Sequence, residues 1–189
     1  MRMQTQLRKA FTIIELMIVV AIIAVLIGLV VPSLRTLSNS AKSRETRQNM
    51  ENLRAMMKEL ELQGGLVGLV PAGPITVGVV NEDAPGRYGP AVVQTSNSMA
   101  RMRQIPANKR AIEQWPPTKI LRAQGGVTNP VLLDGWYNPI IIVPPEGLNV
   151  TVGGASRTIV NPEGKPFFAS AGPDADFGTG DDNVYSIEN

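Results

Sequence analysis

The C-terminal end of the chain carries the side chains that are best suited to binding a metal ion. From Asp174 onward it contains acidic residues and no basic ones, and the acids are Asp174, Asp176, Asp181, Asp182 and Glu188. Carboxylate and backbone carbonyl oxygens are the ligands that Ca²⁺ prefers, about six to eight of them at a time. Gly172, Gly178 and Gly180 permit tight loops that expose such carbonyls. Composition alone leaves two interpretations, a calcium-binding loop and an acidic, solvated tail.

A second chemically unusual position is Glu15, the one charged residue of the apolar run 11–31. As a helix this run would be about 31 Å long, which matches the hydrocarbon core of a bilayer. Arg8 and Lys9 precede it, which predicts a cytoplasmic N-terminus and an outward-facing remainder. A carboxylate inside such a span is costly unless it is paired or reaches the interface. A buried core helix and a cleaved signal peptide are the alternatives, but the run is longer than either needs.

The composition excludes several classes of active site. The chain has no histidine and no cysteine, which excludes histidine-dependent triads, imidazole or thiolate zinc sites and disulfides. The net charge of +2, from 18 basic and 16 acidic residues, does not indicate a nucleic-acid partner. A membrane-anchored periplasmic enzyme or binding module that uses the C-terminal aspartates as a metal site stays open as an alternative.

The residues around Glu15 resemble a known processing signal. Lys9-Ala10-Phe11-Thr12-Ile13-Ile14-Glu15-Leu16 is similar to the cleavage and N-methylation motif of type IV prepilins and type II secretion pseudopilins. The resemblance implies cleavage between Ala10 and Phe11 by a prepilin peptidase, followed by N-methylation of Phe11. Ala10 stands where the family usually has glycine, but it keeps a small side chain. The resemblance also implies that Glu15 pairs with the α-ammonium group of Phe11 on a neighbouring subunit, a pair that is favourable only when both charges are present.

The C-terminal end resembles the same family less closely. Residues 171–184 are similar to the calcium loop of major type II pseudopilins. This resemblance implies carboxylate ligands from Asp174, Asp181 and Asp182, and backbone carbonyl ligands near Ala171 and Asp176. Residues 134–139 (Asp-Gly-Trp-Tyr-Asn-Pro) also resemble the Asp-x-Trp-x-x-Pro stretch that precedes the strands in those proteins.

The distribution of glycine and proline predicts the elements that position these residues. Only Gly28 and Pro32 fall within residues 1–63, whereas residues 64–189 are rich in both types. This pattern predicts one long helix over residues 11–62, kinked or locally melted at Pro32. Leu53, Met56, Met57 and Leu60 recur at helical spacing and should pack on a sheet.

The remainder of the chain is predicted to be strands with two helical fragments. The β-rich runs are 66–70, 75–80, 91–93, the stretch after Pro139, 148–152, 156–160 and 166–170. For the first three runs, a β-hairpin and a loop laid on the sheet are the alternatives. The runs that follow Pro139 together suggest an antiparallel meander of three or four strands, with Gly153-Gly154 as a hairpin turn. Residues 98–124 contain the helical fragments and a local excess of five positive charges. That excess indicates a solvated face or a contact with acidic neighbours, and lacks the interleaved aromatic residues of a nucleic-acid interface.

These observations predict an α+β fold with a long N-terminal helix packed on a small antiparallel sheet. The expected parts are a basic leader (1–10), a transmembrane and assembly segment (11–32), an amphipathic half of the helix (33–63) and a periplasmic globular domain (64–189).

The family resemblance implies a structural protein and not an enzyme. The expected function is that of a subunit in the helical pseudopilus of a type II secretion system, which supports the export of folded proteins. A type IV pilus pilin that serves adhesion or motility is the alternative. Expected partners are further copies of the chain, other pseudopilins, the inner-membrane assembly platform and the prepilin peptidase and methyltransferase. The expected location is the bacterial inner membrane, crossed once, with the assembled fibre in the periplasm.

Overall fold

The computed structural model describes residues 13–70, 72–80, 89–121, 123 and 126–187, and leaves out the side chains of 29–36. The chain divides into two compact units, Met1–Ser40 and Ala41–Asn189. The predicted leader, residues 1–10, lies outside the described part.

The first described element is helix α1, Ile13–Leu62, which is 50 residues long. The long N-terminal helix predicted from the glycine and proline distribution is therefore confirmed. The backbone stays helical through Pro32, so the local melting considered there does not occur. A proline removes one backbone hydrogen bond, and the many other bonds of a helix this long compensate for that loss. Within the described residues, no helix combines the length and the apolar character needed to cross a membrane.

Among its described residues, the second unit has two further α-helices, α2 (Pro90–Met102) and α3 (Pro106–Glu113). The predicted β-rich run at 91–93 was wrong, because these residues form the first turn of α2. Pro90 suits a helix start, where a missing N–H group costs nothing. Val92, Met99 and Met102 are buried along the helix, so the run belongs to a helical stripe. Residues 66–70 consist of turns and bends, which agrees with the loop alternative and not with a strand of a hairpin.

In the described part of the chain, six strands form two separate three-stranded sheets. Their bounds are β1 Ile75–Thr76, β2 Ile141–Val143, β3 Leu148–Val152, β4 Ala155–Ile159, β5 Phe167–Ser170 and β6 Val184–Tyr185. The first sheet has the order β1-β3-β4 and the second β2-β5-β6. Antiparallel pairing and the β3–β4 hairpin are confirmed. The single meander was wrong, because β4 and β5 lie in different sheets, and β1 pairs with β3 in parallel.

The β2-β5-β6 sheet is the central layer of the second unit, since side chains on both of its faces are buried. On one face Ile142 and Phe168 pack in a cluster with Leu53 and Met56 of α1. This confirms the predicted packing of the helical stripe on a sheet. On the other face the alternate residues form a second cluster with the other sheet, and its members include Ile141, Val143, Phe167, Ala169, Leu148 and Val150. Alternation along β2 and β5 therefore separates a helical side from a β side.

Candidate functional site

Three of the predicted metal-binding residues meet in the folded loop. Asp174, Asp181 and Asp182 each offer one carboxylate oxygen, and these atoms all lie within 4.8 Å of one another. Calcium–oxygen distances are about 2.3–2.6 Å. Two oxygens on opposite sides of one ion are therefore separated by about twice that distance, which is close to the 4.8 Å limit found here. The spacing of the three carboxylates therefore fits a single Ca²⁺ ion.

Two glycines allow the chain to bring these aspartates together. Gly172 has φ +72°, and a Cβ atom there would collide with the carbonyl oxygen of Asp182. Gly180 has φ +70°, and a Cβ atom there would lie 2.8 Å from Cβ of Val150. Both positions need a left-handed backbone and space that only glycine leaves. The two ends of the loop therefore touch each other, and the loop rests on β3.

Hydrogen bonds within the loop show that it is an ordered structure. The Asp176 N–H donates to Oδ1 of Asp174 at 2.9 Å, and the Thr179 hydroxyl donates to Oδ2 of Asp174 at 2.8 Å. The Thr151 N–H of β3 donates to the Gly178 carbonyl at 2.6 Å. Strand β6 then closes the loop by pairing with β5. The acidic segment is therefore a folded loop through Ile187, and not a solvated tail.

Asp182 carries the electrostatic feature that fits a cation. Its Oδ1 atom is buried and has no hydrogen-bond partner among the described residues. Burial raises the pKa of Asp182, and the negative charges of Asp174 and Asp181 raise it further. A buried carboxylate oxygen without a donor costs free energy, and a divalent cation would remove both this cost and the repulsion.

The two predicted carbonyl ligands lie in the same loop. Ala171 is buried and directly precedes the 3₁₀ turn Gly172–Asp174. The Asp176 carbonyl accepts hydrogen bonds from the Thr179 hydroxyl at 3.0 Å and from the Thr179 N–H at 3.4 Å. The role of Ala171 and Asp176 as ligands stays a prediction.

Sequence reasoning missed the role of Asp134 beside this loop. Its side chain is fully buried, and Oδ1 accepts the N–H groups of Trp136 and Asn138, both at 2.8 Å. Oδ2 accepts the Ser170 hydroxyl at 2.7 Å, and the Ser170 oxygen in turn accepts the Gly172 N–H at 3.1 Å. Burial raises the pKa of Asp134, and the bond from Ser170 opposes that effect. Asp134 thus ties the turn 134–138 to the start of the acidic loop, a link that the Asp-Gly turn signal could not reveal.

The N-terminal processing site is only partly described. Ala10 and Phe11 lie outside the described residues. Glu15 lies in the first turn of α1 and is exposed to solvent. The large apolar side chains of α1 from Ile13 to Ile27 are all exposed to solvent.

One comparison with known proteins gives a match. Residues 6–31, which include Ala10, Phe11 and Glu15, match the family described as the prokaryotic N-terminal methylation motif. No curated protein and no solved structure shows a significant match to the chain. The motif supports a type IV pilin-like or pseudopilin protein that is cleaved, methylated and anchored in a membrane, and so confirms the resemblance seen in the sequence. It applies equally to a secretion pseudopilin and to a pilus pilin.

Proposed function

We propose that this type IV pilin-like chain is a structural subunit of the helical pseudopilus of a type II secretion system, where it supports the export of folded proteins. The observation that carries the proposal is the methylation motif at 6–31, which overlaps the start of the 50-residue helix α1. The exposed apolar side chains from Ile13 to Ile27 support it. A helix that is apolar all round is stable only inside a membrane or among other helices.

Processing would convert the membrane-bound precursor into an assembly-competent subunit. The prepilin peptidase would cut between Ala10 and Phe11 and leave Phe11 with a methylated α-amino group. The basic leader would face the cytoplasm and the second unit the periplasm of a bacterium, with the inner membrane between them.

Assembly would then depend on Glu15. Its carboxylate would pair with the Phe11 ammonium group of a neighbouring subunit, inside an environment of low dielectric constant. Such a pair is favourable only if both charges are present and close, so it would fix the axial register between copies. The resulting contact joins two different surfaces and does not close on itself, which produces a fibre.

We further propose that the acidic loop binds Ca²⁺ through Asp174, Asp181 and Asp182. The spacing of their oxygens within 4.8 Å and the buried, donor-free Oδ1 of Asp182 support this assignment. The ion would supply positive charge and connect the two ends of the loop. The resemblance of this loop to that of major pseudopilins favours a secretion role over a pilus role.

Mass spectrometry and gene replacement in a bacterium with both a type II secretion system and type IV pili test the function. The expected result is a mature chain that starts at methylated Phe11, fibres that shear from the cells, and loss of protein export in the deletion strain with unchanged twitching motility. A chain that retains residues 1–10, or a deletion that abolishes twitching and leaves export intact, would overturn the proposal.

Thermal unfolding of the full chain in mild detergent tests the calcium site. Calcium at a hundred times its Kd should stabilise the folded state by about 2.7 kcal/mol relative to chelator. Asp181→Ala should abolish this gain, whereas Glu146→Ala, which removes an exposed acid outside the loop, should retain it. Equal melting temperatures in calcium and in chelator for the parent chain would exclude the site.

A further inference from the structure

We infer that the basic face at α3 is a docking surface for the acidic loop of a second copy of this chain. The basic face comprises the exposed Lys109 and Arg110 of α3 and the half-buried Arg103, which caps the C-terminus of α2. The acidic loop comprises residues 171–184. The inference rests on the proposed fibre and specifies one contact between its subunits.

Some basic residues of this region contact other parts of their own chain, and the others are available to contact a second copy. Arg101 donates from its guanidinium group to the carbonyl oxygens of Val67 at 3.0 Å and Gly65 at 2.9 Å. Lys119 pairs with Glu45 of α1 at 2.7 Å. Both side chains therefore hold parts of their own chain together. Of the described basic residues between 98 and 121, Arg103, Lys109 and Arg110 remain.

The basic face at α3 has little internal compensation. Lys109 and Arg110 are exposed. Lys109 lies 3.9 Å from Glu113, with more than half of both side chains exposed, and such pairs contribute little. The Nε atom of Arg103 is buried without a hydrogen-bond partner among the described residues. Three bases and one acid leave this face with a net charge of +2.

The acidic loop has the complementary charge. It carries Asp174, Asp176, Asp181 and Asp182 and no basic residue, a net charge of −4. One bound Ca²⁺ ion would reduce this charge to −2, so the loop attracts a basic surface whether or not the ion is present. Opposite charges on two surfaces favour their association and suppress wrong pairings.

The two surfaces lie on opposite sides of the central β2-β5-β6 sheet. Ile105 and Ile112 anchor α3 in the cluster on the helical side. Ala171 and Phe177 anchor the acidic loop in the cluster on the β side, and its last residue, Val184 of β6, packs in the cluster on the helical side. Because the sheet lies between α3 and the part of the loop that Ala171 and Phe177 anchor, contact between the two surfaces requires a second copy. Two different complementary surfaces on opposite sides produce head-to-tail chains and not closed dimers.

Cysteine cross-linking in assembled fibres tests this contact, and the parent chain contains no cysteine. Ala107→Cys places a thiol on α3 and Pro173→Cys places one at the start of the loop; both positions are exposed. Oxidation of fibres from the double variant should give a ladder of dimers, trimers and larger species, since disulfides need Cα atoms within about 7 Å. Each single variant should give no ladder.

The matched control is the Ala107→Cys/Ala155→Cys variant, whose second thiol lies on the exposed strand β4 outside the loop. It should give no ladder. Fibres of the Ala107→Cys/Pro173→Cys variant that stay monomeric on oxidation, or a control that cross-links equally well, would overturn the inference. If the cysteine-free parent forms no fibres at all, the proposed function fails instead.

Charge reversal provides a second measurement. Lys109→Glu with Arg110→Glu should lower the yield of sheared fibre about fivefold, the factor that corresponds to one exposed ion pair at the upper end of its usual range. The control, Lys58→Glu with Arg157→Glu, changes the net charge equally at exposed positions outside α3 and should keep the parental yield. Equal yields from the two reversals would contradict the proposed contact.

Discussion

Gly135 sets how closely α1 approaches the turn that follows Leu133. A Cβ atom at this position would collide with the Lys42 carbonyl oxygen and lie 2.7 Å from the Lys42 Cα atom. Both of these are backbone atoms, which cannot rotate away as a side chain can. The helix and the turn are therefore in backbone contact at this point, and only a residue without a side chain fits there.

We expect Gly135→Ala to lower the free energy of unfolding by about 1–3 kcal/mol, the usual cost of an added group in a packed site. The matched control is Gly78→Ala, because a Cβ atom at Gly78 would meet nothing within 4 Å. Urea denaturation of the full chain in mild detergent measures both variants. Equal stabilities for the two alanine variants would show that the helix can move away from the turn without cost.

Glu15 is the residue on which the assembly proposal depends most directly. Glu15→Ala should leave membrane insertion intact or improve it, because it removes an expensive charge from an apolar segment. Fibre formation should fail or become disordered, since the neighbouring Phe11 ammonium group would have no carboxylate to meet. Membrane fractionation and electron microscopy of sheared material measure the two effects separately. Glu15→Asp, which keeps the charge, should assemble better than Glu15→Ala; normal fibres from the alanine variant would refute the pairing.

At the scale of elements, buried polar contacts fix the register of α1 against the segment 133–135. The Thr46 hydroxyl donates to the Lys42 carbonyl at 2.8 Å and accepts the Gly135 N–H at 2.9 Å. The Asn49 amide donates to the Leu133 carbonyl at 3.2 Å. Apolar packing alone would tolerate sliding of a helix, whereas these contacts have one geometry.

Thr46→Val should destabilise the folded state by about 1–3 kcal/mol. Valine has nearly the same shape as threonine, so the change leaves the buried Gly135 N–H without an acceptor and creates no cavity. Thr151→Val on the exposed side of β3 is the matched control and should change stability by less than about 0.5 kcal/mol. Denaturant unfolding of the full chain compares them, and a Thr46→Val variant as stable as the control would show that the bond does not fix the helix.

The turn that holds Asp134 contains a strained residue. Tyr137 has φ 70°, a conformation that costs a residue with a side chain about 1–2 kcal/mol. Its ring centroid lies 4.4 Å from the Lys119 ammonium group, and such a contact contributes between about 0.5 kcal/mol at an exposed site and about 2 kcal/mol at a desolvated one. The strain and the attraction that accompanies it are therefore of similar size.

Tyr137→Asn should consequently leave stability unchanged or raise it by up to about 1 kcal/mol, because asparagine tolerates the left-handed region. Tyr137→Val, which is branched at Cβ, should be less stable than the parent. The melting temperatures of the full-length parent and of the two Tyr137 variants measure these differences in stability. A marked loss of stability in Tyr137→Asn would mean that the contact with Lys119 contributes more than the strain costs.

At the scale of the whole molecule, protons and calcium compete for the acidic loop. In chelator the raised pKa of Asp182 means that the folded state holds more protons than the unfolded state above pH 3.8, its ordinary pKa. The contribution of Asp182 to stability is therefore greatest at low pH and falls as the pH rises through its raised pKa. Calcium requires the deprotonated carboxylate, so calcium binding strengthens over the same range.

The gain in melting temperature from calcium should accordingly increase as the pH rises above 3.8, the ordinary pKa of an aspartate, and through the raised pKa of Asp182. Melting curves of the full chain in calcium and in chelator, recorded at several pH values, measure this gain. Glu146→Ala, which removes an exposed acid outside the loop, should leave the calcium gain and its pH dependence unchanged. A calcium gain that is constant across this range would contradict binding through Asp182.

The sequence by itself determined those features that depend on local pattern. The scarcity of glycine and proline before residue 64 predicts a long helix, and α1 runs from Ile13 to Leu62. The four-residue stripe from Leu53 to Leu60 identifies the face of α1 that packs on the sheet. The motif around Phe11 and Glu15 is likewise local, and its match to residues 6–31 supports a pilin-like protein.

Only the tertiary structure decided which distant segments meet. The β4 and β5 strands are neighbours in the sequence, and their pattern predicts one meander. In the structure β5 lies beside β2 in the central sheet, where both of its faces are buried. The bond from Ser170 to Asp134 spans 36 residues, and the Gly135–Thr46 bond spans 89. Such contacts arise because buried polar groups must find partners wherever packing brings them, and no local pattern specifies which partner that is.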